Sequence, residues 1–507
     1  MENNKQDGTR LRLRRAAVDL TTDEFRRAGH ELVDLLAGHL GAIRAQRVTP
    51  GEKPADVRAA IHGNRGLPEH GADAGSIVRD AAELLFSHSL FNGHPRFFGY
   101  VTSSPTPIGA LADLLASVVN PNVGAWNLSP AATEIEAQTI RWIAEFIGYP
   151  AGCGGLLVSG GNMANFVGFL AARAEKAGQA IRKAGVGESG ARLHCYCSAE
   201  THTWVQKAAD LFGLGTDCVR WVACDSRQRL DLAALRTQVK QDRERGEQPF
   251  LVIGTAGTVS TGAVDPLPDL ASFCQDEDLW FHVDGAYGGF AAQVPGAPAD
   301  LRGLALADSV AVDPHKWLYA PLEAGCALVR NPKHLLNAFS YRPPYYQFDS
   351  EAINFFDYGP QNSRGFRALK IWMAFQQAGR AGYLESISDD IALAKRAFEL
   401  FSEHPELEAV AQGLSICAFR YVPPELRASI GSVETEETLN RLNQALLQEI
   451  EHSGEAYLSN AVVGGKFLLR MCIVNFRTSL EDIEFLPGFI ARVGAHAFAT
   501  MRIPSPT

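Results

Sequence analysis

The chain has 507 residues, of which 46% are hydrophobic and 21% charged, a composition that fits a folded globular protein and argues against a mainly disordered one. Lys plus Arg is 47 and Asp plus Glu is 57, giving a formal net charge of −10 and no electrostatic reason to expect nucleic-acid binding. No apolar stretch reaches the roughly 18 residues of a membrane span, so no membrane partner is expected.

At about 150 residues per domain the length suits two to four domains. The first 20 residues carry Lys5, Arg10, Arg12, Arg14 and Arg15 without an apolar run of signal-peptide length, and read as a flexible, solvated tail. Residues 21–95 read as an N-terminal helical segment. Its first helix runs from Thr22 to about Arg47, with Phe25, Ala28, Leu32, Leu35, Leu36 and Ile43 mostly on one face and capping residues at its start. The segment looks too thin to bury that face alone, so we expect it to pack on another domain or subunit.

Residues 96–375 alternate short apolar runs with helical stretches. The expected strands are Cys218–Val222, Phe250–Gly254, Leu279–Val283, Ser309–Val312 and Cys326–Val329. The expected helices are Asn162–Ala177, Leu232–Glu244 and Leu267–Glu277. Near-continuous apolar strands between helices indicate an α/β domain with a mostly parallel sheet covered on both faces. Cys195 and Cys197 are the closest pair among nine scattered cysteines, with no second pair to complete a zinc site. They read as buried strand thiols in a reducing compartment, with no metal. In residues 376–507, Leu439, Leu442, Leu446 and Ile450 share a helical face, and Ser415–Tyr421 and Lys466–Val474 read as strands of a smaller α+β domain.

Three motifs carry chemistry. Gly160, Gly161 and Asn162 open a helix whose first-turn N–H groups and positive dipole end suit a phosphate. Asp284 ends the apolar strand Leu279–Val283, where α/β sheets bind ligands, and requires a cationic partner if buried. Lys316 follows the strand Ser309–Val312 in Asp313-Pro314-His315-Lys316-Trp317, and a desolvated Lys becomes a Schiff-base nucleophile. Singly these are a Gly-containing turn, a turn-capping Asp and a surface Lys. Together they match pyridoxal phosphate: a phosphate turn, an acid for the pyridinium nitrogen and an amine for the aldehyde.

On these residues the sequence resembles the pyridoxal-phosphate-dependent group II amino-acid decarboxylases, the family of the aromatic L-amino acid decarboxylases. The resemblance runs from His94-Pro95-Arg96-Phe97-Phe98 into the C-terminal domain and is most specific in His282-Val283-Asp284-Gly285-Ala286-Tyr287 followed by Pro314-His315-Lys316-Trp317. It implies the aspartate-aminotransferase-like fold type I, a cytoplasmic, intertwined homodimer with active sites at the subunit boundary, and a carboxy-lyase yielding an amine and CO2. Lys316 then matches the Schiff-base Lys, Asp284 the ring-nitrogen partner, Ala286 a small residue against the ring and His202 the imidazole stacked on the cofactor. Gly160, Gly161 and Asn162 match the phosphate turn. Asp313 stands where relatives often have Asn, with His315 a candidate to offset its charge. Thr258 matches a cofactor-binding Thr, and Val259 stands where relatives have a second one. Tyr345 matches the mobile-loop Tyr that protonates the substrate α-carbon, with Tyr346 a rival. Phe98, Tyr100, Thr102 and Trp126 fall in the substrate-pocket stretch and favour an aromatic L-amino acid. Gly124, where relatives carry Phe, suggests a roomier pocket. Two alternatives stand: an acidic substrate, whose cation would come from Arg96, Arg364 or Arg367, and a decarboxylation-coupled aldehyde synthase.

Overall fold

The computed structural model describes Arg12 and residues 16–178, 180–187, 192–341 and 352–501. Thr21 starts helix α1 (Thr22–Ala42) with a capping box to Glu24, and Asp73 caps α2 (Ala74–His88) through the Ser76 N–H. Helices α3 (Pro107–Val119) and α4 (Pro130–Ile147) each open on proline, whose fixed φ suits a first turn. The large domain follows as β1 (Gly154–Val158), α5 (Gly161–Lys176), β2 (Leu193–Ser198), α6 (Trp204–Leu211), β3 (Val219–Val222), α7 (Leu232–Glu244), β4 (Gln248–Thr255), α8 (Leu267–Asp276), β5 (Trp280–Asp284), β6 (Ser309–Val312) and β7 (Gly325–Val329). The sheet order is β1-β7-β6-β5-β4-β2-β3. From β6 through β3 the strands are parallel, while β7 runs antiparallel to both β6 and β1. Strands β1, β2, β5, β6 and β7 are buried at every position, as expected of strands covered on both faces.

The expected strands and helices of this domain form within a few residues of their anticipated ends, and Cys195 and Cys197 are buried in β2 as free thiols. Strand β1 escapes the sequence pattern because it begins with Gly154 and Gly155. A Cβ on Gly155 would sit 2.6 Å from the Ala327 carbonyl, so the close approach of β7 requires glycine where a strand former would be expected.

Helix α9 (Ala368–Glu403) leads out of this domain and is interrupted at Gly379, which takes φ +65°. Beyond it lie β8 (Leu407–Gly413), β9 (Ile416–Tyr421), α10 (Val433–Ser453), β10 (Ser459–Val463), β11 (Lys466–Cys472) and α11 (Leu480–Met501). The small sheet is antiparallel, in the order β10-β11-β9-β8. Leu439, Leu442, Leu446 and Ile450 are fully buried against it, so the helical face read from the sequence is the core face. At the N-terminus only Ala28 of α1 is buried, and Phe25, Val33, Leu36 and Leu40 remain exposed. The segment does leave most of its apolar face uncovered in the single chain.

A buried carboxylate joins α9 to the segment bearing Lys316. Asp390 accepts from Trp317 Nε1 (2.9 Å) and Tyr319 Oη (2.7 Å). Burial pushes its carboxyl up to about 7. The folded protein therefore binds a proton here that the unfolded chain has released once pH exceeds the ordinary carboxylate range. Stability is lost as pH rises through that window to about 7, and the loss is constant above it. In Asp390→Asn an amide oxygen takes over both hydrogen bonds without titrating. The Tm of Asp390→Asn relative to the parent is expected to improve steadily from pH 5 to pH 7.5 in thermal melts. A difference independent of pH would show that Asp390 does not titrate there.

Candidate active site

The carboxyl ends of β2, β5 and β6 open on one edge of the sheet, the place where an open α/β sheet binds ligands. Asp284 is the last residue of β5 and is 7% exposed. Its Oδ1 accepts from the Ala286 N–H (3.1 Å) and its Oδ2 from the Trp204 indole Nε1–H (2.7 Å). Among the described residues no cation lies within ion-pair distance of it, so the carboxylate is held by neutral donors alone. Strand β5 is itself pinned by His282, whose ring bonds Ser309 Oγ and Asn165 Oδ1, each at 2.8 Å. Burial lowers the pKa of His282 to about 4, so this imidazole is neutral and structural despite its place in the motif.

Asp313 follows β6 and begins the single turn Pro314–Trp317. Its Oδ2 lies 3.0 Å from Lys316 Nζ and 3.7 Å from His315 Nε2. The charge of Asp313 is thus balanced mainly by Lys316. His315 Nδ1 accepts from the Ala324 N–H (3.2 Å), and desolvation lowers its pKa, favouring the neutral ring. Asp313 Oδ1 is buried and has no hydrogen-bond donor.

Across from this turn, α5 opens at Gly160 with no side-chain cap, leaving first-turn N–H groups available. Gly160 takes φ +143°, a conformation that favours glycine. A Cβ on Gly161 would lie 2.6 Å from Asp313 Oδ2 and 3.3 Å from Ala286 Cβ, so this glycine, with Asn162 after it, lines the gap between the two strand ends. His202 sits between β2 and α6. Its Nδ1 accepts from the Trp204 backbone N–H (3.3 Å), which leaves the proton on Nε2. Desolvation by the pocket wall is the main cause lowering its pKa, although part of the ring stays open to the site.

Residues 54–422 match the pyridoxal-dependent decarboxylase conserved domain. The chain belongs to the pyridoxal-dependent decarboxylase family. It is 35% identical to an aromatic-L-amino-acid decarboxylase of Bacillus atrophaeus, covering 92% of this chain and 94% of that protein. It is 29% identical to a 4-hydroxyphenylacetaldehyde synthase of Rhodiola rosea, over 92% and 94% of the two chains. The crystal structure of Oryza sativa TDC with PLP and tryptamine superposes with a TM-score of 0.87 at 26% identity, covering 95% of this chain and 99% of that one. The decarboxylase is therefore a pyridoxal-phosphate-dependent carboxy-lyase of fold type I.

The site of the decarboxylase fits that cofactor. A buried carboxylate with neutral donors on both oxygens and no cation suits a protonated ring nitrogen, and an uncapped helix start suits a phosphate. Thr258 is buried with its hydroxyl inside its own turn, 3.0 Å from Thr261 Oγ1 and 3.2 Å from the Ala263 N–H. Val259 offers only its carbonyl, which accepts from Arg470 Nη1 (2.6 Å).

The expected substrate residues do not all gather. Phe98 is fully buried in the core of the small domain, where its carbonyl accepts from the Cys472 N–H, so it packs there and does not line the open site. Tyr100 is exposed, with φ +52°, and its hydroxyl meets Tyr457 Oη at 3.4 Å. Thr102 is half-buried. Trp126 is half-buried with its indole N–H on Glu134 (2.9 Å). Gly124 does not enlarge the pocket by choice of side chain: a Cβ there would collide with the Asn362 carbonyl. The three arginines considered for an acidic substrate are all held by carboxylates: Arg96 by Asp482 (3.2 Å), Arg367 by Glu323 (2.8 Å) and Arg364 by Glu136. Tyr345 and Tyr346 lie outside the described residues.

Two residues were missed from the sequence. Trp204 stands two positions after His202, and a buried indole needs an acceptor for its N–H, the signal that would have drawn attention to it. Arg470 of β11 is 2% exposed and bonds Val259 O and Ser459 Oγ, with no carboxylate within ion-pair distance among the described residues. Burial depresses its pKa.

Gly161→Ala is expected to keep the fold, because the residue is helical, while pushing Asp313 and weakening cofactor binding about tenfold, the effect of losing one charge-assisted contact. Absorbance titration of the apoprotein with pyridoxal phosphate measures this, and unchanged affinity would remove Gly161 from the cradle.

Proposed function

We propose that this enzyme decarboxylates an aromatic L-amino acid to its amine and CO2. The observation that carries the reading is the convergence of Lys316, His202 and Asp284 on one strand edge, with Asp284 lacking a cation of its own among the described residues. Two things support an aromatic substrate. The curated relatives named above act on aromatic compounds, and Arg96, Arg364 and Arg367 are each already paired with an acidic side chain.

The bound pyridoxal phosphate supplies an electron sink for the pair released with CO2. Lys316 presents the amine that carries the cofactor, and Asp313 holds that amine in place at 3.0 Å. Asp284 would pair with the ring nitrogen and keep the ring electron-poor, an electrostatic contribution fixed before reaction begins. His202, neutral and protonated at Nε2, would cover one face of the ring. The first turn of α5 binds the phosphate through Gly160, Gly161 and Asn162. Arg470 supplies a guanidinium for the substrate carboxylate, since among the described residues no carboxylate neutralises it. Tyr345 delivers the proton to the α-carbon and, with its loop, excludes water. An acidic group in that position favours amine release over aldehyde formation.

Asp284→Ala is expected to lower kcat by about 10²–10³, the usual cost of one preorganised electrostatic group. A panel of aromatic and acidic L-amino acids, assayed for amine, CO2, ammonia and peroxide, tests the rest. Aldehyde with ammonia and peroxide would identify an aldehyde synthase, and turnover of aspartate or glutamate alone would overturn the aromatic reading.

The working unit in this proposal is a cytoplasmic homodimer with shared active sites. Nine free thiols support a reducing compartment. Leu111, Leu114, Leu115 and Val118, at i, i+3, i+4 and i+7 of α3, are each about half exposed in the single chain, and the bare face of α1 adds Leu36 and Leu40. Such a surface marks an interface. Leu111→Glu with Leu115→Glu is expected to yield monomers in sedimentation velocity, with activity lost. An active monomeric parent enzyme would exclude sharing of the sites.

A further inference from the structure

Trp204 touches both groups that the proposed mechanism sets on the cofactor ring. It is the first residue of α6 and is fully buried. Its indole Nε1–H donates to Asp284 Oδ2 at 2.7 Å, and its backbone N–H donates to His202 Nδ1 at 3.3 Å. The indole is fixed in turn: it meets the His282 ring edge-on with centroids 5.8 Å apart, and His282 is bolted to Ser309 and Asn165.

The terminal torsion of an Asp side chain is soft and roughly two-fold, so hydrogen bonds decide the plane of its carboxylate. Asp284 has one donor on each oxygen, the Ala286 N–H on Oδ1 and the Trp204 indole on Oδ2. A carboxylate has about four lone-pair sites, so acceptor capacity remains for a ring N–H. The Trp204 donor carries no charge. A Lys or Arg in its place would orient Asp284 equally well but cancel the negative potential that favours a protonated ring nitrogen. The same residue, through its main chain, leaves the proton of His202 on Nε2.

We propose that Trp204 is a positioning residue for the cofactor ring, holding Asp284 in the orientation that meets the ring nitrogen and His202 in the tautomer that faces the ring. This rests on the assignment of Asp284 to the ring nitrogen.

The test replaces Trp204 with benzothienylalanine, a near-isostere without the N–H, and with Phe, alongside Asp284→Asn. Each holoenzyme is examined for the visible cofactor band and its pH dependence, for the cofactor dissociation constant, for kcat and KM separately, and for Tm. With the isostere, kcat is expected to fall about tenfold or more, the range for a hydrogen bond to a charged group, with KM unchanged and Tm lowered less than in the Phe variant, which also loses ring packing. The cofactor dissociation constant is expected to rise, and the pH midpoint of the cofactor band to shift in the same direction as in Asp284→Asn. If Asp284→Asn is impaired but the isostere keeps the parent kcat, affinity and spectrum, Trp204 has no positioning role and the Asp284 assignment stands. If only Phe is impaired, with Tm falling in step, ring packing is responsible and the proposal fails. If Asp284→Asn itself behaves as the parent, the Asp284 assignment fails and this inference falls with it.

Discussion

Asp284 ends a strand buried at every position, and a carboxylate in such a place costs several kcal/mol unless donors or a cation receive it. Here two neutral N–H groups receive it and no protein cation does, among the described residues. That arrangement leaves a negative potential directed at the open edge of the sheet. In the proposed reading the coenzyme's ring nitrogen would complete it, so the strand's end would be finished by the ligand and not by the fold. The rest of the large domain serves this edge. His282 ties β5 to α5 through Asn165, so the helix that starts the phosphate cradle and the strand that carries the acid move as one piece.

The Lys316 segment obeys the opposite rule. Its amine is paired with Asp313 at 3.0 Å, and the following Trp317 is fixed by Asp390 on α9 and by stacking on Tyr287 at 4.7 Å. Tyr287 in turn bonds Ser415 beside β9 of the small domain. The nucleophile's backbone is therefore anchored to both domains, while Lys316 itself stays partly exposed. Gly161 leaves room for the Asp313 carboxylate and Lys316 balances its charge. The buried Oδ1 still lacks a donor among the described residues.

Much of this was legible in the sequence because it depended on local pattern. Apolar runs ending in Asp284 and before Lys316, and two glycines before a helical period, place three chemical groups at strand and helix ends without any knowledge of tertiary contacts. What depended on distant contacts was not legible. Trp204 meets Asp284 across 80 residues of chain, and nothing in the local sequence names that partner. Phe98 reads as a pocket aromatic because the family resemblance puts its stretch at the substrate pocket, yet its backbone bonds Tyr457 and Cys472, which carry it into the small domain's core. Gly124 reads as added space, but the Asn362 carbonyl already fills that space. Arg96, Arg364 and Arg367 look free in a list of cations, and only the folded chain shows the carboxylate held by each.

The site also shows a division of labour between neutral and charged partners. Both tryptophans beside the chemistry, Trp204 and Trp317, donate an indole N–H to a buried aspartate. An indole gives direction without charge, so it orients a carboxylate and leaves its field intact. At Asp284 that field is what the proposed pairing with the ring nitrogen would use. At Asp390 it has no ligand to act on, and burial raises that carboxyl to about 7. The same donor type thus supports two different states: an acid kept ready for a cationic ring, and an acid that near neutrality still holds a proton and serves as a structural hinge-pin between domains. In the proposed reading, neutral donors supply the geometry at Asp284 and the coenzyme would supply the positive charge.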